Sequence, residues 1–225
     1  MEKKNTVKKV LKIILIIIVA LILIFAIHTI RNYVIITNLQ NKNSNYQNIT
    51  NYHIKSVANS NNGATKVIVN YYKKDNKQYI CVERTMNGEK EKVKVSMYDN
   101  GERVDMFTET SDSKTAKLNS GEMLPLNISN YLETASKWQT FLESIVAKIK
   151  TTNFNGKECY VVRDFLSLTS LTYEGAEVYI DKETGLAIKT TEAETVTEKE
   201  YEFDKVEDSI FTEPDISQYK LQENE

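Results

Sequence analysis

The side chains able to do chemistry are few in this chain. His28 and His53 are the whole imidazole supply, and His28 falls at the end of an apolar run. Histidine metal cages and Ser-His or Cys-His dyads therefore have little to draw on. The seven glycines, Gly63, Gly88, Gly101, Gly121, Gly156, Gly175 and Gly185, stand singly and nearly all in turns, so no glycine-rich phosphate loop or nucleophile elbow is available. Acids abound, and Glu198, Glu200, Glu202 and Asp204 alternate along one stretch. Carboxylates in line on a strand read as a solvated face, with a metal site as the alternative. No acidic pair is set in apolar surroundings, the setting that would raise the pKa of a general acid. No catalytic residue, metal or cofactor is assigned, and the chain is not expected to be an enzyme. Cys81 and Cys159 both lie on predicted strands and leave two readings open, buried free thiols or a disulfide.

The elements around these residues begin with a membrane signal. Residues 13–27 are uninterrupted apolar and 13–30 make an eighteen-residue segment, about 27 Å of helix against a hydrocarbon core of ~30 Å. Lys3, Lys4, Lys8, Lys9 and Lys12 precede it and Arg31 follows, a bias that keeps residues 1–12 in the cytoplasm and puts the remainder outside. A cleaved signal peptide is the alternative, but the core is long and Ala26-Ile27-His28 is a poor cleavage site. Residues 31–50 are Asn-rich with few large apolar side chains and read as a polar tether. Residues 1–40 carry six basic side chains against Glu2, which leaves 23 basic and 30 acidic in the rest, a net charge of −7. That balance disfavours a nucleic-acid partner. Rich in Ile, Lys, Asn and Tyr with only two Pro, the composition is that of an AT-rich bacterial genome.

Beyond the tether, period-two segments at 52–58, 65–74, 77–86, 90–99 and 102–110 alternate with Asn62-Gly63, Asp75-Asn76, Asn87-Gly88 and Asn100-Gly101, pairs that accept the positive φ of tight hairpins. Residues 111–129 lack periodicity and read as a surface loop. Residues 131–150 hold apolar side chains at three-and-four spacing, from Tyr131 through Trp138, Phe141 and Ile145 to Ile149, and read as the one amphipathic helix of the domain, capped by Asn130. Strands return at 158–165, in the two arms of a strand-turn-strand over 178–189 that opens with 177–181, and at 195–206, with a hairpin at Asn155-Gly156. Ile210 and Phe211 are expected to pin the chain end, and residues 218–225 to fray. The fold class is α+β: a curved antiparallel sheet over residues 51–217 packed on the 131–150 helix, preceded by a transmembrane helix.

The block VYIDKETGLAIK at 178–189, with YEFDKV and DSIFTEPD after it, resembles the closing portion of the LolA/LolB lipoprotein-carrier superfamily, with its D-x-x-T-G-L hairpin, further strand and F-x-x-P-type end. The resemblance covers residues 176–216. It implies a curved half-barrel that holds acyl chains or other apolar ligands in its concavity, and places the chain among envelope proteins that handle lipids or lipoproteins.

Nine strands with one dry face exceed what a single helix can cover, and large exposed apolar surface marks a binding site. Val93, Val95 and Met97 before the helix, Trp138 on it, and Val178 and Ile180 after it occupy the predicted inward faces. They are the expected lining for a lipid-like ligand or lipoprotein. The alternative is a protein-interaction or sensory domain of the same fold whose concavity is filled by its own helix, with an envelope protein as partner.

Overall fold

The computed structural model describes residues 2–60, 63–86, 91–121, 123, 136–163 and 176–222. It opens on a single helix, α1 (Glu2–Ser44), of 43 residues. The large apolar side chains of its first part, from Val10 to Ile30, are between 46 and 67% exposed. Among the described residues it is the one helix long and apolar enough to cross a membrane. The polar tether expected at 31–50 is absent as far as Ser44, because the helix continues through it. Thr29, Asn32, Ile36, Leu39 and Asn43 recur every three or four residues and are all buried. Tertiary packing on that stripe supplies what Asn-rich composition withholds from helix propensity.

Among the described residues twelve strands follow: β1 (Asn51–Ser60), β2 (Thr65–Lys74), β3 (Lys77–Met86), β4 (Glu91–Asp99), β5 (Val104–Thr110), β6 (Lys114–Lys117), β7 (Lys148–Phe154), β8 (Lys157–Arg163), β9 (Glu177–Asp181), β10 (Ala187–Glu192), β11 (Thr195–Phe203) and β12 (Lys220–Leu221). They form one open curved sheet in the order β12-β6-β5-β4-β3-β2-β1-β11-β10-β9-β8-β7, antiparallel throughout except where β12 lies parallel to β6. The turn chemistry is as the pairs require: Asp75 takes φ +55, and Asn155 and Gly156 take +48 and +78. Asn87-Gly88, Asn62, Asn130 and Gly175 lie outside the described residues.

The second helix, α2 (Lys137–Val146), is ten residues long and corrects the expectation for 131–150 in three ways. Residues 131–135 are outside the described chain, and the described cap is Ser136, whose Oγ accepts from the Gln139 N–H at 3.2 Å while Gln139 Oε1 accepts from the Ser136 N–H at 2.8 Å. The helix stops before Lys148, where KIKTTNF enters seven antiparallel pairs with β8 and the period of two prevails. The buried side chains of α2 are Thr140, Glu143 and Ser144, not the apolar stripe. They face α1, which itself occupies the sheet.

One core cluster joins Ile36 and Leu39 of α1 to Ala147, Ile149, Val162, Val178, Ile180 and Ala187, and a second gathers Tyr52, Ile54, Tyr71 and Leu186 with Tyr46 and Ile49 just after the helix. The D-x-x-T-G-L hairpin is where α1 lands. Asp181 accepts from the Glu183 N–H at 2.9 Å and the Thr184 hydroxyl at 3.0 Å, holding a turn in which Gly185 has φ +75. A Cβ on Gly185 would stand 2.6 Å from the Leu39 carbonyl oxygen, so the turn must be glycine to receive the helix.

One open reading is resolved and one further expectation is corrected. Cys81 and Cys159 are free and buried. They sit on β3 and β8, six strand steps apart, roughly 29 Å along the sheet at ~4.8 Å per step, far beyond disulfide reach. The tail expected to fray from 218 is instead tied down through residue 222. Tyr219 stacks edge-on against Phe107 and donates to Glu109 at 2.5 Å, and β12 pairs with Thr115 and Ala116.

Candidate functional site

Register puts five of the six predicted lining residues on one sheet face. Val93 faces Arg84, then Val67, Ala58, Thr197, Thr190, Val178, Val162 and Ile149, a row that crosses nine strands from β4 to β7. The row beside it runs Val95, Val82, Val69, Ser56, Lys199, and the next Met106, Met97, Ile80, Tyr71, Ile54, Tyr201. Cross-strand partners share a face, so Val93, Val95 and Met97 look the same way as Val178 and Ile180.

They do not make one site. Val178 and Ile180 are 7 and 2% exposed beneath Ile36 and Leu39, where they are packed core with no room for a ligand. Val93, Val95 and Met97, with Val67, Val69, Val82 and Met106, are half-buried. Trp138, 66% exposed, stands on α2 and stacks on Phe141 at 5.6 Å. The candidate surface is thus the half-covered valine and methionine strip of β2–β5. α1 and the residues just after it seal the face from Tyr71 onward.

Sequence reasoning passed over Lys199. It lies on this face, in the row of Val95, Val82 and Val69, half-buried, and burial pulls its ammonium below the ordinary lysine range. The signal was the strand's own alternation: if Glu198, Glu200 and Glu202 face solvent, Lys199 must face inward with Tyr201 and Phe203. Those glutamates are indeed wet, with Lys55 3.4 Å from Glu200 and His53 3.1 Å from Glu202. Among the described residues no group of three His, Cys, Asp or Glu is placed to hold a metal.

Two other features are structural in character. On the opposite face, His53, Tyr72, Tyr79, Tyr98, Phe107 and Tyr219 form a continuous row with ring centroids 4.1 to 5.7 Å apart. Phe107 is buried and the other rings are half-buried, and the row braces β1–β5; burial raises the Tyr79 and Tyr98 hydroxyls. A cavity of about 310 Å³ lies at the β3–β4 strand ends, lined by Lys77, Tyr98, Asp99, Asp208, Phe211 and Glu213 among others. It contains none of the predicted lining residues. It is the seam where Asp208, paired with Lys74 at 2.9 Å, clips the chain end, and that pairing lowers the Asp208 carboxyl.

No protein-family model matches the sequence, and no curated protein matches it. Among solved structures the chain is similar to a LolA superfamily protein, NE2245 from Nitrosomonas europaea, at 12% identity over 79% of this chain and 97% of that one, with a TM-score of 0.25. It is similar to a DUF1329 family protein from Desulfovibrio piger at 10% identity, covering 82% and 97%, with a TM-score of 0.29. For PNGF-II the identity is 14% and the TM-score 0.31, and this chain spans 78% of its own length but 32% of that protein. At such identities the fold stands on the chain's own strand order and register: among the described residues, a twelve-stranded curved open sheet with α1 on its inner face.

Proposed function

We propose that this chain is a membrane-anchored binding module, with residues 1–12 in the cytoplasm and the sheet outside, that holds a lipid-like ligand on the β2–β5 strip. The acyl chain lies over Val69, Val82 and Val95, and an anionic head points toward Lys199. The observation that carries this reading is an apolar row, half-covered, that ends on a half-buried lysine. Lys199 sets a cationic side chain at the end of that row, the charge opposite to that of a fatty-acid or phospholipid head. The lysine bias around the apolar run supports the orientation. Protease added to intact, wall-stripped cells then removes a C-terminal tag; protection of that tag refutes the orientation.

The ligand is tested with full-length protein in lipid nanodiscs and a fatty acid carrying a diazirine near its methyl end. After illumination, mass spectrometry is expected to find adducts on peptides of β2–β5, and Val95→Trp to abolish them. Adducts confined to α1 in both proteins would refute the site. One observation favours the second reading, a protein-interaction or sensory domain: Ile36 and Leu39 already fill the β7–β10 half of the concavity. That reading predicts the outcome with label on α1 alone.

A further inference from the structure

Surface helices ordinarily bury their apolar side, and α2 does the reverse. Thr140, Glu143 and Ser144 are buried against α1, whereas Trp138, Phe141 and Val146 are 66, 39 and 36% exposed. Lys137, Lys148 and Lys150 are exposed around them. The one acid of the described stretch 136–150, Glu143, is turned inward, and burial raises its carboxyl to about 7. The outer surface of α2 is thus two stacked aromatic rings and a valine framed by lysines, with no exposed carboxylate of its own.

We propose that this surface rests in the headgroup region of the leaflet from which α1 emerges, so that membrane lipid covers Trp138, Phe141 and Val146. The inference rests on the reading of α1 as a membrane span, and three observations place α2 at the right depth. The Asn32 side chain donates to the carbonyls of Ser144 at 3.2 Å and Ala147 at 2.7 Å, and the Thr140 hydroxyl donates to Gln40 at 3.2 Å, so α2 runs back alongside α1 with its C-terminal end toward the apolar segment. Val146 is level with Asn32. The exposed apolar surface of α1 reaches Val34, itself 51% exposed. From Val10 that is about 36 Å of helix, longer than a ~30 Å hydrocarbon core, and such a mismatch is relieved by tilting. Tilt toward α2 carries its outer face down to the interface, where tryptophan and other aromatic rings concentrate and lysines meet anionic headgroups.

Trp138 is the only tryptophan of the chain, so it reports its own depth. Full-length protein is reconstituted in phosphatidylcholine–phosphatidylglycerol vesicles with and without brominated lipids, the bromines near the top of the acyl chain for Trp138 and near its methyl end for the span. A second protein carrying Leu21→Trp and Trp138→Phe reports on the span. Emission from Trp138 is expected to fall about twofold with brominated lipid, as for a ring held at the interface, and to resist aqueous acrylamide; the residue-21 reporter is quenched as well. Quenching from position 21 with Trp138 unquenched and open to acrylamide overturns the α2 contact and leaves the anchor standing. Trp138 unquenched yet shielded from acrylamide overturns it too, and assigns the face to protein. Quenching at neither position removes the anchor and this contact together.

Discussion

The inner face of the sheet carries the same residue types in the same alternation at both ends, yet its two ends are buried very differently. At β8 and β9, Val162, Val178 and Ile180 are 2, 7 and 2% exposed; at β3 and β4, Val82, Val93 and Val95 remain half-buried. What separates them is a neighbour. Ile36 and Leu39 of α1 lie on the first group, and the Gly185 turn is cut away so that the helix backbone can approach. Burial here is decided by which surface the helix reaches.

The largest effect expected from breaking that contrast is a charge at each end. Leu39→Asp buries an unpaired carboxylate and should cost about 3–5 kcal/mol, much of a typical total stability of ~5–15. Val95→Asp, on the half-covered strip, should cost about 1 kcal/mol. Thermal melts of the full chain in nanodiscs followed by circular dichroism compare them, and equal costs would mean the two ends are packed alike.

A smaller effect isolates the approach of α1. Gly185→Ala and Gly156→Ala both force a positive φ, +75 and +78, but the added methyl meets the Leu39 carbonyl oxygen in the first and open space in the second. The shared backbone strain is about 1 kcal/mol. Gly185→Ala is expected to lose about 2 kcal/mol more through displacement of α1. Chemical denaturation resolves that difference, and equal midpoints would deny the close contact.

The smallest effect is one of pH. Burial raises Glu143 to about 7 from 4.5, so the folded state holds its proton more tightly than the unfolded one. The stability associated with neutral Glu143 is fully present below about pH 4.5, falls as pH rises toward 7, and is flat above it. Glu143→Gln should remove that slope and leave the protein steadier at pH 8 than the parent. A parent whose melting temperature does not fall between pH 5 and 7 relative to Glu143→Gln would contradict it.

Much of the sheet was legible in the sequence, because period-two alternation and Asn-Gly or Asp-Asn turns are local signals; β2 and β3 fall at their expected bounds. The faces of Val93, Val95, Met97, Val178 and Ile180 were legible for the same reason. What could not be read was which of them would be covered, since that depends on a helix some 140 residues earlier in the chain. The extension of α1 was hidden because Asn32 and Asn43, two of its buried positions, are polar. In α2 the three-and-four spacing was real, but it marked an outer face, and KIKTTNF satisfied both periods until pairing with β8 chose one.

The unbroken path of α1 from the apolar run into the sheet makes the domain a lever with no joint. Each residue of a helix adds ~1.5 Å and turns it by about 100°. Adding or removing one residue between Arg31 and the Leu39 seat would therefore not lengthen a tether but swing the whole sheet around the helix axis, pointing its open strip in a new compass direction. Phase along α1, more than reach, sets what the strip can meet.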